Sequence, residues 1–241
     1  MEFKHLTMDV PYFDCDADGR MRPIAVLRTI QEAGLRHAEE MGLHFTRDAG
    51  ALLFMTRLHM TFAYPLPRWR ETVSIRTWVC KVQRVKAFRA YELCDAEGRV
   101  CARGLLDGIL VDAGTRRPVR FDMGGHLPVE TEETISLPER IGSAEDMTPM
   151  GERRAEWYQT DRNGHVHNVR HAELALSALP DQYIESPIAD WTVNYMEELC
   201  PGQRIRLYAH VPEEGTVVTE GRNADGGAIF RSRIHFYPPR H

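Results

Sequence analysis

What the 241-residue sequence lacks narrows the field first. No run approaches the ~20 consecutive apolar residues that a membrane-spanning helix requires. The first residues, Met1-Glu2-Phe3-Lys4-His5, contain no apolar stretch of the kind a secretory signal needs. A basic surplus is missing too: 30 Lys and Arg face 35 Asp and Glu, a formal charge of −5, which argues against a nucleic-acid partner. Cysteine is sparse and odd in number (Cys15, Cys80, Cys94, Cys101, Cys200), and no CxxC pair occurs. That usage argues against a disulfide scaffold and for a reducing compartment. G-x-S-x-G, the P-loop, the dinucleotide fingerprint and H-E-x-x-H are all absent. The expectation is a cytoplasmic protein with no cofactor, no metal, no nucleic acid and no membrane contact.

What is present is an internal repeat. Asp16-Ala17-Asp18-Gly19-Arg20 returns 145 residues later as Asp161-Arg162-Asn163-Gly164-His165. A helical apolar pattern follows each string. In the first half Pro23 suits a first helical position, Ile24, Leu27, Ile30, Gly34, Ala38 and Met41 form the stripe, and Gly42 closes it. In the second, Asn168 is the expected N-cap, Val169, Ala172, Leu176 and Leu179 are the stripe, and Pro180 stops it. Strand-like runs come next, at about 52–64, 72–82, 86–95 and 99–112, then at about 190–197, 203–211, 215–222 and 227–237. Hairpin signals stand at Asp95-Ala96-Glu97-Gly98 and Asn223-Ala224-Asp225-Gly226. Each half therefore reads as a strand, a long helix and a four-strand antiparallel meander, an α+β plan in which a sheet wraps one helix. Residues 1–121 and 151–241 are the expected halves. Residues 122–150, rich in acids with Gly124-Gly125 and three prolines, are the expected linker.

The repeat is unequal where chemistry is possible. Asparagine and histidine occur only in the second copy, between a strand and a helix start, where loops on rigid elements carry function. Folding requires the turn twice; it does not require Asn and His twice. The asymmetry points to Asp161, Asn163 and His165 as functional, and to Asp16 and Gly19 as structural. A carboxylate can act as base or nucleophile on an acyl carbon, an imidazole can orient it or protonate a leaving group, and amide donors can hold an oxyanion. Against this, Asp-x-Asn-Gly is also a good turn whose side chain bonds its own backbone, and locally the two readings stand about even. Tyr195-Met196-Glu197-Glu198, on an expected strand, offers a further carboxylate. His165, His167 and His171 invite a metal, but no cysteine follows at ligand spacing. Cys200 with a histidine would permit a thiol nucleophile, although a buried inert thiol is the commoner state.

Together these residues resemble the acyl-ACP thioesterases of plants and bacteria. The resemblance lies in Asp161-x-Asn163-Gly164-His165-Val166-x-Asn168 before a helix, then Tyr195-x-x-Glu198. The first half is similar too: Asp16-x-Asp18-Gly19-Arg20-Met21-Arg22-Pro23, Ile30-Gln31-Glu32-Ala33 with His37, Thr56-Arg57-Leu58-His59, Trp69-x-Glu71-Thr72-Val73, Arg76-Thr77-Trp78 and Arg116-Arg117-Pro118-Val119-Arg120. The family implies a tandem (double) hotdog, two antiparallel sheets each wrapped around a long helix, with an acyl pocket in the first half and catalysis in the second. Carried over by position, the catalytic set is Asp161, Asn163, His165 and Glu198. The implied roles are a carboxylate acting on the thioester carbonyl or on water, Asn and His polarising the reacting groups, and Glu orienting them. Three departures stand out. His167 replaces the first Asn of the usual His-Val-Asn-Asn. Leu199 separates the glutamate from Cys200. Phe54-Met55 precede Thr56-Arg57 where a tryptophan is usual.

The expected activity is hydrolysis of fatty acyl-ACP to free fatty acid and holo-ACP. The alternatives are an acyl-CoA thioesterase of the same superfamily and a non-catalytic acyl-binding protein. The acyl carrier protein is acidic, so Arg68, Arg70, Arg116, Arg117 and Arg120 are candidates for a docking patch; clustered surface arginines are also commonly just solvated. The chain is expected to be a monomer whose halves pair, or a homodimer.

Overall fold

A computed structural model of the chain describes residues 3–131 and 134–238. Two compact units divide at Leu137 and Pro138. The first contains β1 (Lys4–Asp9), α1 (Pro23–Glu40), β2 (Ala51–Phe62), β3 (Thr72–Gln83), β4 (Lys86–Cys94) and β5 (Val100–Asp112). The second contains β6 (Thr148–Arg154), α2 (Asn168–Leu176), β7 (Ile188–Tyr195), β8 (Arg204–Glu213), β9 (Thr216–Arg222) and β10 (Ala228–Phe236). A short 3₁₀ turn stands before each repeated string, at Tyr12–Asp14 and Trp157–Gln159. Strand, helix and four strands thus recur in order, as the repeat predicts.

The expected meander needs correction. β3, β4 and β5 are joined by hairpins, but β2 pairs with β5 and β1 with β3, which gives the order β1-β3-β4-β5-β2. The second unit repeats it as β6-β8-β9-β10-β7. All these pairs are antiparallel. The strands flanking each helix in sequence lie at opposite ends of their unit's order. A helix that links them must cross the face of the strands between, and this is what buries its apolar stripe.

Each helix departs from its expected form. α1 runs as read, with Pro23 at its start and Gly42 at φ 72° beyond its end. Its buried face is wider than the apolar stripe, because Gln31 and His37 are buried with Ile24, Leu27, Ile30, Gly34 and Ala38. α2 has nine residues against eighteen in α1. It is capped by His167 rather than Asn168, through a hydrogen bond that Val169 N donates to His167 Nδ1 at 3.1 Å. Pro180 biases Leu179 away from helical backbone, and the chain leaves the helix at Ser177.

Period-two alternation positions the two cores of the first unit. Val73, Ile75 and Thr77 of β3 are buried on the α1 face, while Trp78 and Cys80 turn to the other side. There Trp78, Cys80, Ala90 and Leu105 are covered by Phe3, Val129, Ile135 and Leu137. Part of the expected linker is therefore packed onto the first unit, held by a hydrogen bond from Val129 N to Val79 O at 2.9 Å. In the second unit Val166, Ala175, Ala178, Leu199, Ile205, Leu207, Ile229 and Phe230 form one cluster. Gly221 of β9 is required there, since a Cβ on it would lie 2.5 Å from both Ile205 Cδ1 and Phe230 Cε1. Replacing Gly221 with Ala should overpack this core and cost about 1–3 kcal/mol, read as a lower denaturant midpoint at unchanged m-value.

Candidate active site

The repeated string is one of four copies of the same turn. In Asp16–Arg20, Asp95–Arg99, Asp161–His165 and Asn223–Gly227, the first side chain's Oδ1 accepts from the backbone N–H groups two and four residues ahead. The distances are 3.0 and 2.8 Å, 3.1 and 2.8 Å, 2.8 and 3.4 Å, and 3.1 and 2.8 Å respectively. The first residue's N–H donates to the fifth carbonyl in every copy, at 2.8–3.0 Å. The fourth residue is always glycine at positive φ, between 73° and 87°. An oxygen that accepts twice replaces the backbone acceptors that a five-residue reversal leaves missing. The two readings of Asp161 therefore do not compete for the whole side chain. Oδ1 does the structural work it does in Asp16, and Oδ2 carries no hydrogen bond among the described residues. Only the third copy has Asn in third place and His in fifth.

His165 reaches Glu198: Nδ1 and Oε1 are 3.0 Å apart. Glu198 is not on a strand, as the alternation had placed it. β7 ends at Tyr195, and the N–H groups of Met196 and Glu197 both donate to Ile229 O, at 2.9 and 3.1 Å. One carbonyl facing two successive amides makes a bulge, which breaks the alternation and re-aims the side chains. Glu197 then accepts from Asn223 Nδ2 at 2.8 Å, while Glu198 turns to His165. Val166 N donates to Leu199 O at 2.8 Å and fastens the turn to this segment. Glu198 thus receives the proton of Nδ1, which in a neutral imidazole leaves Nε2 as the acceptor. His167 has the opposite tautomer, since its Nδ1 accepts from the helix and its Nε2 carries the proton. A histidine here retains the capping acceptor that an asparagine would supply. Burial lowers its pKa, with the nearby Asp161 charge acting the other way.

Asn163 Oδ1 is buried without a hydrogen-bond partner among the described residues. The same holds for both ring nitrogens of His171 and for the Tyr195 hydroxyl. These two rings lie 6.0 Å apart, and His171 stacks on Phe230. Burial pushes the His171 pKa down to about 4 and the Tyr195 pKa up. A buried polar atom with no partner costs about 1–3 kcal/mol, and Asn194, Thr219 and Arg233 of the same unit each have one as well. Apolar periodicity overlooks His171 and Tyr195; their signal is a polar residue on the buried face, His171 where the first copy has Val26. The three imidazoles considered for a metal have separate partners: a carboxylate, a helix N-terminus and an aromatic stack. No group of three or more His, Cys, Asp or Glu suited to a metal occurs among the described residues. Cys200 is a free thiol whose backbone N–H is held by Gln203 at 2.7 Å. A cavity of about 390 Å³ in the first unit, lined by Arg20, Arg68, Glu71, Asp95 and Arg99 among others, includes none of Asp161, Asn163, His165 and Glu198. Its lining of both charge signs suits salt and water more than an alkyl chain.

The model of the acyl-ACP thioesterase N-terminal domain matches residues 2–123. A dodecanoyl-[acyl-carrier-protein] hydrolase of Cinnamomum camphora, described as chloroplastic, is 23% identical over 96% of this chain and 67% of its own length. An oleoyl-acyl carrier protein thioesterase of Arabidopsis thaliana is 28% identical over 87% of this chain and 63% of its own length. Among solved structures, an acyl-ACP thioesterase of Bacteroides thetaiotaomicron superposes with a TM-score of 0.88 at 20% identity, covering 98% of both chains. The 12:0-ACP thioesterase of Umbellularia californica gives 0.83 at 19% identity, again over 98% of both. At these identities the superpositions establish a shared fold.

The buried His171 makes stability depend on pH. Its folded value lies below the ordinary 6.5, so the fold favours the neutral ring. That contribution, about 3 kcal/mol, is fully present above pH 6.5 and is lost as pH falls towards about 4. Denaturant melts at pH 7, 5 and 4 should show this loss, and His171→Phe should flatten the curve. Parallel curves for the two proteins would remove His171 as the cause.

Proposed function

The chain belongs to the acyl-ACP thioesterase family, and we propose that it hydrolyses fatty acyl-ACP to free fatty acid and holo-ACP. The observation that carries this reading is the His165–Glu198 contact in the single copy of the turn that bears Asn and His. In the proposed fold the two units are tandem hotdogs. The first takes the acyl chain, residues 122–150 connect them, and the second carries the chemistry.

The geometry of that loop supports the following roles. Asp161 Oδ1 is committed to the turn, so Oδ2 is the oxygen left for the reaction. As a base it removes a proton from water while the water oxygen adds to the thioester carbon. The C–S bond then breaks, and the departing thiolate takes up a proton to give holo-ACP. Asn163, with its amide held in place by a glycine turn, polarises the carbonyl that becomes an oxyanion. His165, with Nδ1–H directed at Glu198, presents Nε2 to a reacting proton, and Glu198 stabilises the imidazolium that results. Direct attack by Asp161 to form an anhydride uses the same atoms. Neither route uses Cys200, which Leu199 separates from Glu198 in the sequence.

The carrier is proposed to dock through basic side chains. Arg68, Arg70, Arg116, Arg117 and Arg120 are all exposed, Arg70 stacked over Trp69 and Arg116 over Phe54. The five free cysteines suit a cytoplasmic protein, and no helix among the described residues is long and apolar enough to cross a membrane. Comparing one acyl group on ACP and on CoA separates the proposed carrier from the acyl-CoA alternative. Rates that are equal on the two would remove the carrier assignment.

The decisive variant is Asp161→Asn. Asn223 already closes this turn with an amide oxygen, so the substitution preserves the loop while removing the carboxylate. Hydrolysis of acyl-ACP should fall by about 10²–10⁴-fold with an unchanged melting temperature. Asp16→Asn, the same change in the first copy, should leave hydrolysis in place. Near-wild-type turnover by Asp161→Asn would defeat the assignment.

A further inference from the structure

The first unit holds a polar cluster beneath α1 that the fold does not require. Arg89 of β4 donates from Nη1 to His37 Nδ1 at 2.9 Å and to Thr77 Oγ1 at 3.3 Å. Thr77 in turn donates to Ala90 O at 3.0 Å. Tyr91, across the β3–β4 ladder from Thr77, lies against the helix at Gly34, where an added Cβ would stand 2.8 Å from its hydroxyl. One helical turn before Gly34 is Gln31, 5% exposed, with neither Oε1 nor Nε2 partnered among the described residues. No carboxylate pairs with Arg89 among the described residues. Desolvation lowers its pKa and pushes that of Tyr91 up to about 12.

The second unit shows what the fold needs at these places. Glu92 is buried and bonded to Arg76 and Arg103, at 2.7 and 2.9 Å; Glu220 is its counterpart, bonded to Arg222 and Arg231. Counting along the ladders from these two glutamates, Arg89 corresponds to Val217, Tyr91 to Thr219 and Thr77 to Ala209. Counting from the two helix caps, Arg22 and His167, Gln31 corresponds to Leu176. Apolar residues thus fill three of the equivalent positions, Val217, Ala209 and Leu176, while the fourth, Thr219, buries a hydroxyl that is also without a partner among the described residues. An unsubstituted alkyl chain placed in the first unit would leave the guanidinium and the Gln31 amide buried and return no hydrogen bond.

Taking as given the proposed reading that the first unit receives the acyl chain, we propose that Gln31, His37, Thr77, Arg89 and Tyr91 bind an oxygen atom on that chain. The favoured substrates are then oxygenated acyl thioesters, bearing a hydroxyl, keto or carboxylate group, in preference to plain alkanoyl ones. Arg89 and the Gln31 amide supply donors, and the Gln31 carbonyl supplies an acceptor for a hydroxyl proton. A site built to bond an oxygen rejects an analogue lacking it, because its own groups then stay buried and unpaired.

The test is a panel of ACPs carrying dodecanoyl, dodecanoyl hydroxylated or oxidised to a ketone at successive positions, and dodecanoyl ending in a carboxylate. At least one oxygenated member should exceed plain dodecanoyl by about tenfold or more in kcat/KM. That ratio should collapse towards one in Arg89→Met and in Gln31→Leu. Gln31→Leu installs the residue found at the equivalent position and decides the matter if Arg89→Met fails to fold. The neutral and carboxylate arms show which oxygen is preferred. A second measurement separates this inference from the activity it rests on: calorimetric binding of the matching free acids to the Asp161→Asn protein. Selective binding of an oxygenated acid, lost in Gln31→Leu, supports the site even if no acyl-ACP is hydrolysed. Hydrolysis with a preference for plain dodecanoyl, or an oxygen preference unaltered by both substitutions, overturns it.

Discussion

A side-chain oxygen that accepts two backbone N–H groups, two and four residues ahead, closes every one of the four five-residue turns described above. The rest of the candidate site depends on that interaction. It fixes the positions of Asn163 and His165, and it commits one oxygen of Asp161 to structure. The glycine in fourth place is what permits the reversal, since a side chain at its φ of 82° would be strained. The turn is closed by the chain's own hydrogen bonds, so in the proposed reaction the groups on it need little reorganisation. In that proposal a carboxylate with a folding task is also available for chemistry, because the two tasks fall on different oxygens.

Duplication supplies an internal control that a single-copy fold lacks. Where both units have the same residue type at equivalent positions, as in the glutamates Glu92 and Glu220, packing and charge balance account for it. Where one unit departs, the fold has already demonstrated that it can be built otherwise. Departures occur in both directions. The second unit carries Asn163, His165 and His171 where the first has Asp18, Arg20 and Val26, and the first carries Arg89 and Gln31 where the second has Val217 and Leu176. In the proposed reading, reaction and chain recognition fall to different units.

The repeat, α1 with its start at Pro23 and its stop at Gly42, and the placement of most strands were legible because they rest on local chemistry: glycine at a turn, proline at a helix start, alternation along a strand. The Asp161–His165 turn was legible for the same reason, and its asymmetry is what makes it the candidate loop. Other features were set by contacts distant in sequence. Asp95 and Asn223 looked like ordinary hairpin signals, and only the hydrogen bonds show them to be the same turn as Asp161. Glu198 was placed on a strand because the two-residue alternation gives no warning of a bulge on Ile229 O. Asn168 looked like the cap because histidine is an uncommon one, although its Nδ1 is an equally good acceptor. Gln31 and His37 give no such local signal, since apolar periodicity treats polar residues on the buried face as interruptions.

Charge pairing separates the two kinds of buried polar group in the first unit. Asp107, 1% exposed, accepts from Thr56 at 2.6 Å and from Lys86 at 3.3 Å, and Glu92 has two arginines. A buried charge held for structure is neutralised in this way, because leaving it single costs several kcal/mol. Arg89 is handled differently. Its bonds go to an imidazole nitrogen and a hydroxyl, neither of which carries a negative charge. One helical turn before Gly34, which faces the Arg89 side chain, stands the Gln31 amide with no partner among the described residues. Evolution could have removed that cost by the route the second unit shows, with a valine and a leucine. Retaining a cation and an amide there is intelligible if their partner comes with the substrate, so that the energy withheld from folding is recovered on binding.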